Sequence, residues 1–182
     1  YFDGMTEIIL KHGGTLDKYI GDAIMAFWNA PLYQQDHAQR AACAALEIQV
    51  FSEQFSNTLT AEGKPAVRTR IGLNTGKAVV GNIGSHKHFN YTIMGDEVNL
   101  ASRLEGANKT FGTTLMISES TFERVYQDFR TRELDLLRVK GRTTPVRVYE
   151  MLGSHDQQFS EAVEQALHCY EQGLKAYRQR DW

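Results

Sequence analysis

The chain has 182 residues, 42% of them hydrophobic, with 20 basic side chains against 22 acidic ones. That length suits one globular domain, or one domain with a short appendage, and is enough to bury a core of its own. A net charge of −2 excludes broad electrostatic capture of nucleic acid or of an anionic membrane, so a phosphate-bearing ligand would need a local basic pocket.

No run of about 18 apolar residues and no basic-then-apolar leader occurs, so this stretch is expected neither to span a membrane nor to carry a signal peptide. It starts at Tyr1 rather than Met, which reads as part of a longer polypeptide. Cys43 and Cys169 lie far apart in helical-looking segments and are expected to be reduced thiols packed as small buried hydrophobes.

Tyr1, Met5, Ile8, Ile9 and His12 recur at helical spacing ahead of Gly13-Gly14, which predicts a helix over 2–12 with a glycine stop. Thr15–Ile20 and Ala23–Trp28 are two β-capable runs around Gly21-Asp22, a glycine-first pair that signals a hairpin with a type II′ turn. Lys18 and Asp22 then fall close to its tip, where they are either solvated loop charges or a functional pair. Asp36 looks like the N-cap of a long alanine-rich helix to about residue 60, with Ala38, Ala41, Ala42, Ala45, Ile48, Phe55 and Leu59 on one side.

Beyond the breaker Glu62–Pro65, Val67–Leu73 alternates as a strand, and Ala78–Gly84 is expected to pair with it as a second hairpin. The glycines of the latter strand point to bulges or close backbone approach. Phe89–Met94 reads as a short extended segment, and Gly95-Asp96 opens a helix through about Asn108 with Val98, Ala101, Leu104 and Ala107 inward. Thr114–Ile117 is a short strand, Ser120 and Glu123 form a capping box for a helix near 119–126, and strands near 130–139 and 146–152 bracket Gly141–Pro145. The order α-β-β-α-β-β-α-β-α-β-β is that of an α+β sandwich, a mainly antiparallel sheet covered by helices. A ferredoxin-like βαββαβ core would need one more strand before residue 1, with the last two strands as an extra C-terminal hairpin. Residues 1–152 form the domain and 153–182 a linker with a separate helix.

Three polar groups stand out. Besides Lys18 and Asp22, Asn99 and Arg103 are four apart, hence on one helical face, and Arg138-Val139-Lys140-Gly141-Arg142 is a basic turn. Each alone is equally readable as solvated surface. Together they supply what a phosphoryl-transfer centre needs: a carboxylate for a divalent cation, cations for phosphate oxygens and an amide to orient a reactant. Asp96-Glu97 at a helix start is better explained by the helix dipole than as a cyclic-dinucleotide synthase signature. The six histidines lack zinc-ligand spacing, and Gly81–Gly84 lacks the Gly-Lys-Ser/Thr ending of a phosphate loop.

The literal motifs are more specific. Gly-Gly-x-x-x-Lys-x-x-Gly-Asp-x-x-Met-Ala-Phe at 13–27, Tyr-Thr-x-x-Gly-x-x-Val-Asn-x-Ala-x-Arg-Leu at 91–104 and Val-Lys-Gly at 139–141 resemble, in order, the class III nucleotidyl cyclase catalytic domain. The resemblance implies a head-to-tail homodimer with two active sites at its interface, each built from both chains, and two Mg²⁺ or Mn²⁺ ions per site. It implies that Asp22 binds metal, that Lys18 and Thr92 read the purine, that Asn99 orients the ribose, that Arg103 stabilises charge at the α-phosphate and that Lys140 holds the terminal phosphates. Lysine with threonine at the reading positions looks like an adenylate cyclase: lysine donates to adenine N1, whereas guanine carries an N–H there and wants an acceptor.

The implied substrate is ATP and the implied products are 3′,5′-cyclic AMP and pyrophosphate, in a cytoplasmic catalytic domain of a parent with a fused regulatory domain and an open question of membrane anchoring. Two alternatives stand beside this reading: a non-catalytic cyclase-like dimerisation module, and a guanylate cyclase. One departure is plain. The family's other metal aspartate lies in a Phe-x-Asp-Ile-x-x-Phe-type strand motif that does not occur in these 182 residues. The expectation is that this polypeptide alone makes little cyclic AMP and that an upstream segment would restore it.

Overall fold

The apolar spacing of the first residues does produce a helix, α1 (Phe2–Lys11), which turns Met5, Ile8 and Ile9 inward. It ends where Gly13, at φ +73°, lets the chain fold back so that Gly13 and Gly14 donate their amides to Leu10 and Ile9. The computed structural model describes residues 1–85, 87–138 and 144–180.

Strands β1 (Thr15–Ile20) and β2 (Ala23–Phe27) pair antiparallel around the Gly21-Asp22 turn. Only Gly21 of that pair has positive φ, +62°, the sign pattern of a type II′ turn. The hairpin packs Leu16, Ile24 and Ala26 with Trp28 onto α1 and the middle of helix α2 (His37–Ala61), where Ala44 and Ile48 are buried. Asp36 stands at the N-cap of α2 but makes no side-chain cap bond; Arg40 binds its carboxylate instead, Nε to Oδ1 at 2.7 Å.

The main sheet has four strands in the order β3 (Ile71–Leu73), β6 (Leu115–Ser118), β8 (Val146–Ser154), β7 (Phe129–Leu137), with β3 parallel to β6 and the other pairs antiparallel. All four residues of β6 are buried, as befits a central strand covered on both faces. Alternation along β6 and β8 sends Leu115, Ile117, Tyr149 and Met151 to one face, against Ala38, Ala42 and Ala45 of α2 and Val125 of helix α4 (Glu119–Val125). Met116 and Val148 point to the other face, against Leu100 and Leu104 of helix α3 (Asp96–Phe111). The fold class is therefore α+β, with antiparallel pairing dominant and helices over the sheet.

Two pairings differ from the sequence expectation. Strand β3 is only three residues long and joins β6, so 67–73 does not form a hairpin with the strand that follows. That strand, β4 (Val79–Ser85), pairs instead with β5 (His88–Met94) in a separate ribbon of unbroken register. Its glycines therefore do not mark a bulge. Gly84 alone is tight, since a Cβ there would sit 2.2 Å from the His88 carbonyl oxygen, while Gly81 faces open space.

Helix α3 is also rotated from expectation: its fully covered side chains are Leu100, Leu104 and Asn108, with Val98, Ala101 and Ala107 only partly covered. The cap of α4 is Ser118, whose hydroxyl accepts from the Thr121 amide, rather than Ser120, whose hydroxyl donates to the Thr75 carbonyl at 2.7 Å. Both Cys43 and Cys169 are free but exposed, against the expected burial, because the inward positions of α2 are taken by its alanines and α5 (Glu161–Gln179) buries no residue.

Helix α5 lies along β7 through polar contacts. Glu164 pairs with Arg130, Arg178 with Glu133, and the Tyr170 hydroxyl donates to the Leu134 carbonyl at 3.2 Å. Among the described residues no helix is long and apolar enough to cross a membrane.

Candidate active site

The hairpin's charges are set by a local irregularity. In β1, Leu16 opposes Ala26 and Lys18 opposes Met25, so Asp17 is an extra residue with no partner on β2. Successive side chains of a regular strand point to opposite faces; a bulge breaks that alternation. Asp17 and Lys18 consequently converge on the same target, the hydroxyl of Thr92 on β5.

Lys18 Nζ donates to Thr92 Oγ1 at 2.9 Å, and Thr92 donates its own hydroxyl hydrogen to Asp17 Oδ2 at 2.6 Å. The Ile93 amide gives a second hydrogen bond to the same oxygen, at 3.2 Å. Asp17 Oδ1 meets Lys18 Nζ at 3.1 Å as an ion pair, but no aligned hydrogen bond reaches that oxygen. The Asp17 side chain is 0% exposed and that of Lys18 42%, so the aspartate is the buried anchor and the lysine the outward arm. Burial by itself pushes the Asp17 carboxyl up. The Thr92 hydroxyl, the Ile93 amide and Lys18 together outweigh it, holding the group below its ordinary range.

The structure thus unites Lys18 and Thr92, 74 positions apart in sequence, the two residues expected to read a purine. Asp22 is exposed at the hairpin tip. Asn99 and Arg103 are both exposed on α3, whose start is fixed close by: Gly95 supplies its N-cap, and Asn74 donates to the Glu97 carbonyl at 2.9 Å. Asp96 and Glu97 occupy the first turn of α3, where they complement its dipole. Lys140 lies outside the described residues.

Asp17 escaped the sequence reading, which took Thr15–Ile20 as a β-capable run and singled out only Lys18 and Asp22 from the hairpin. The available signal was two adjacent charges, Asp17-Lys18, inside an otherwise apolar β run, a pattern that strict alternation cannot place on one solvated face.

A divalent cation is a hard ion that prefers oxygen ligands, about six for Mg²⁺. Asp22 offers suitable carboxylate oxygens in a position open to solvent. Among the described residues no group of three or more His, Cys, Asp or Glu side chains comes together to hold a metal, so Asp22 by itself offers one carboxylate and not a cage.

The model of the adenylate and guanylate cyclase catalytic domain matches residues 1–165. The chain is 40% identical over 153 residues to adenylate cyclase 1 of Rhizobium meliloti, an alignment that covers 84% of this chain and 23% of that protein. Its fold is similar to the crystal structure of the adenylyl cyclase CyaB from P. aeruginosa, with a TM-score of 0.78 and 32% identity over 87% of this chain and 82% of that one. The guanylyl cyclase Cya2 is also similar, with a TM-score of 0.75 and 34% identity over 86% of this chain and 78% of that one. The chain belongs to the adenylate and guanylate cyclase catalytic domain family. This is an enzyme family that uses divalent metal ions, and its catalytic domains have a ferredoxin-like core.

A second curated relative, the adenylate cyclase of Anabaena cylindrica, is 33% identical over 158 residues, an alignment that covers 83% of this chain and 30% of that protein. The chain spans less than a third of the length of those relatives, 23% and 30% for two of them.

Proposed function

We propose that this domain converts ATP to 3′,5′-cyclic AMP and pyrophosphate as one half of a head-to-tail homodimer. The observation that carries the substrate choice is the 2.9 Å hydrogen bond between Lys18 and Thr92, which sets a cationic donor beside a hydroxyl. Adenine offers an acceptor at N1 and a donor at its amino group, and such a pair complements both.

In the reaction the ribose 3′-oxygen forms a bond to the α-phosphorus. The bond from that phosphorus to the α–β bridging oxygen breaks, pyrophosphate leaves with the electron pair, and the hydroxyl proton passes to solvent. The attack is intramolecular, so positioning and charge stabilisation supply most of the acceleration. Asn99 orients the ribose, Arg103 meets the charge that grows on the α-phosphate, and Lys140 holds the outer phosphates. Asp22 would be one of two aspartates that share two Mg²⁺ or Mn²⁺ ions, which would neutralise phosphate charge and acidify the attacking hydroxyl.

Support for the dimer comes from the two hairpins. Tyr19, Ile20, Val79, Phe89 and Met94 are large apolar side chains left exposed on β1, β4 and β5, the kind of surface that a protein contact covers. The short share of each relative that this chain covers fits a catalytic domain fused to regulatory parts in a longer parent.

The test is nucleotide choice in the intact protein that carries this domain. The unmodified protein should turn over ATP in preference to GTP, and Lys18→Glu with Thr92→Cys should reverse or erase that preference. A wild-type preference for GTP would rule out the assigned substrate.

A further inference from the structure

We infer that Asp17 is a specificity-determining positioning residue: it fixes Thr92 as a hydrogen-bond acceptor, so that the Lys18–Thr92 pair suits a 6-aminopurine and rejects a 6-oxopurine. The inference rests on the reading of Lys18 and Thr92 as the purine-binding pair and adds the residue that orients them.

A threonine hydroxyl has one hydrogen and two lone pairs, an ammonium only donates, and a carboxylate only accepts. Thr92 Oγ1 lies 2.6 Å from Asp17 Oδ2, so its single hydrogen is committed to that carboxylate. One lone pair takes a hydrogen from Lys18 Nζ at 2.9 Å. What Thr92 has left for a ligand is one lone pair. Lys18, with one N–H on Thr92 and another beside Asp17 Oδ1, keeps its third N–H. The pair therefore offers one acceptor next to one donor.

Adenine presents the converse, an amino N–H next to the bare N1. Guanine presents an oxygen where Thr92 also has only a lone pair, and an N–H where Lys18 also has only a hydrogen. Lysine alone opposes guanine at one of these two points. An unconstrained threonine could rotate its hydroxyl and donate to the 6-oxygen, whereas Asp17 removes that option. The side chain is suited to this duty, being 0% exposed and tied also to the Ile93 amide, so water does not compete for it. Thr92 itself is 6% exposed, beside the more open Lys18, whose side chain is 42% exposed.

The experiment compares kcat and KM for ATP and GTP in the intact protein and in Asp17→Asn, Thr92→Val and the double variant. Asparagine keeps the shape but can turn an N–H toward Thr92 and release its hydrogen. The ATP-over-GTP ratio of kcat/KM should fall about tenfold in Asp17→Asn, the effect of one hydrogen-bond term of ordinary strength, and mainly through KM. In the Thr92→Val background Asp17→Asn should leave the ratio unchanged, because it acts through that hydroxyl. An unaltered ratio in Asp17→Asn, with both nucleotides slowed equally, would mean a structural role only and overturn the inference. If Asp17→Asn does not fold, the unmodified protein is assayed with purine riboside triphosphate, which has hydrogen in place of the amino group. Its KM should be about tenfold above that for ATP, and equal values overturn the inference. Preference of the unmodified protein for GTP would instead overturn the substrate assignment, so the two failures are distinct.

Discussion

Asp17 holds a negative charge inside the hairpin, and this makes the fold sensitive to acid. Its carboxyl is held below the ordinary range in the native chain, so folding favours the ionised form. The resulting stability is fully present above the unfolded value of about 4 and drains away as pH falls through the lower native value. Asp36 and Glu47 are also held low and titrate over the same range, so the informative quantity is a difference between proteins. In urea titrations the gap in stability between wild type and Asp17→Asn should be largest near neutrality and narrow below about pH 4. A gap that does not change with pH would show that the carboxylate's charge is not what the Thr92 and Ile93 bonds hold. At this scale the sequence was informative where a motif names a residue and silent where a bond depends on a distant partner. Lys18 and Thr92 could be paired only through the family pattern. The use of Ser118 rather than Ser120 as a cap could not be foreseen, because both hydroxyls sit at the start of α4 and only the fold brings the Thr75 carbonyl to Ser120.

Among the elements, α3 depends on a single glycine beneath it. A Cβ on Gly72 would stand 2.2 Å from the Ala101 carbonyl oxygen and 2.4 Å from the Glu105 amide nitrogen, both backbone atoms that cannot swing aside. Asn108 clamps the same contact, donating to the Ile71 carbonyl at 2.9 Å while it accepts from the Thr113 hydroxyl at 2.7 Å. Gly72→Ala should therefore cost about 1–3 kcal/mol in urea unfolding and depress turnover beyond that loss, since α3 carries Asn99 and Arg103. An unchanged unfolding midpoint would mean that β3 and α3 have room to separate. Helices were legible in the chain because their signals are local: apolar spacing, Gly13-Gly14, Gly95-Asp96. Strand partners were not. Val67–Leu73 alternates correctly, yet its partner, β6, begins some forty residues further on, and a local pattern cannot say that β4 will pair forward with β5.

For the molecule as a whole, the proposed roles divide between two chains. Base reading by Lys18 and metal binding by Asp22 belong, in the head-to-tail arrangement, to different sites, although the residues are neighbours in one hairpin. An equal mixture of Lys18→Ala and Asp22→Ala chains, each inactive as a homodimer, should regain one working site per heterodimer. Cyclic AMP production by the mixture, at up to about half the wild-type specific activity per mixed dimer, is the expected reading; none at all would exclude shared sites.

The extra residue in β1 has a consequence for any attempt to exchange parts between relatives. Upstream of Asp17 the strand is in one phase with β2 and downstream it is in the other, so the hairpin is two half-strands spliced out of step. A transplanted hairpin that matches lysine to lysine but omits the splice would keep nearly every side chain and still turn Lys18 away from Thr92. Alignments of this segment should therefore be anchored on strand phase, with an insertion or deletion at position 17 weighed as heavily as a change of the lysine itself.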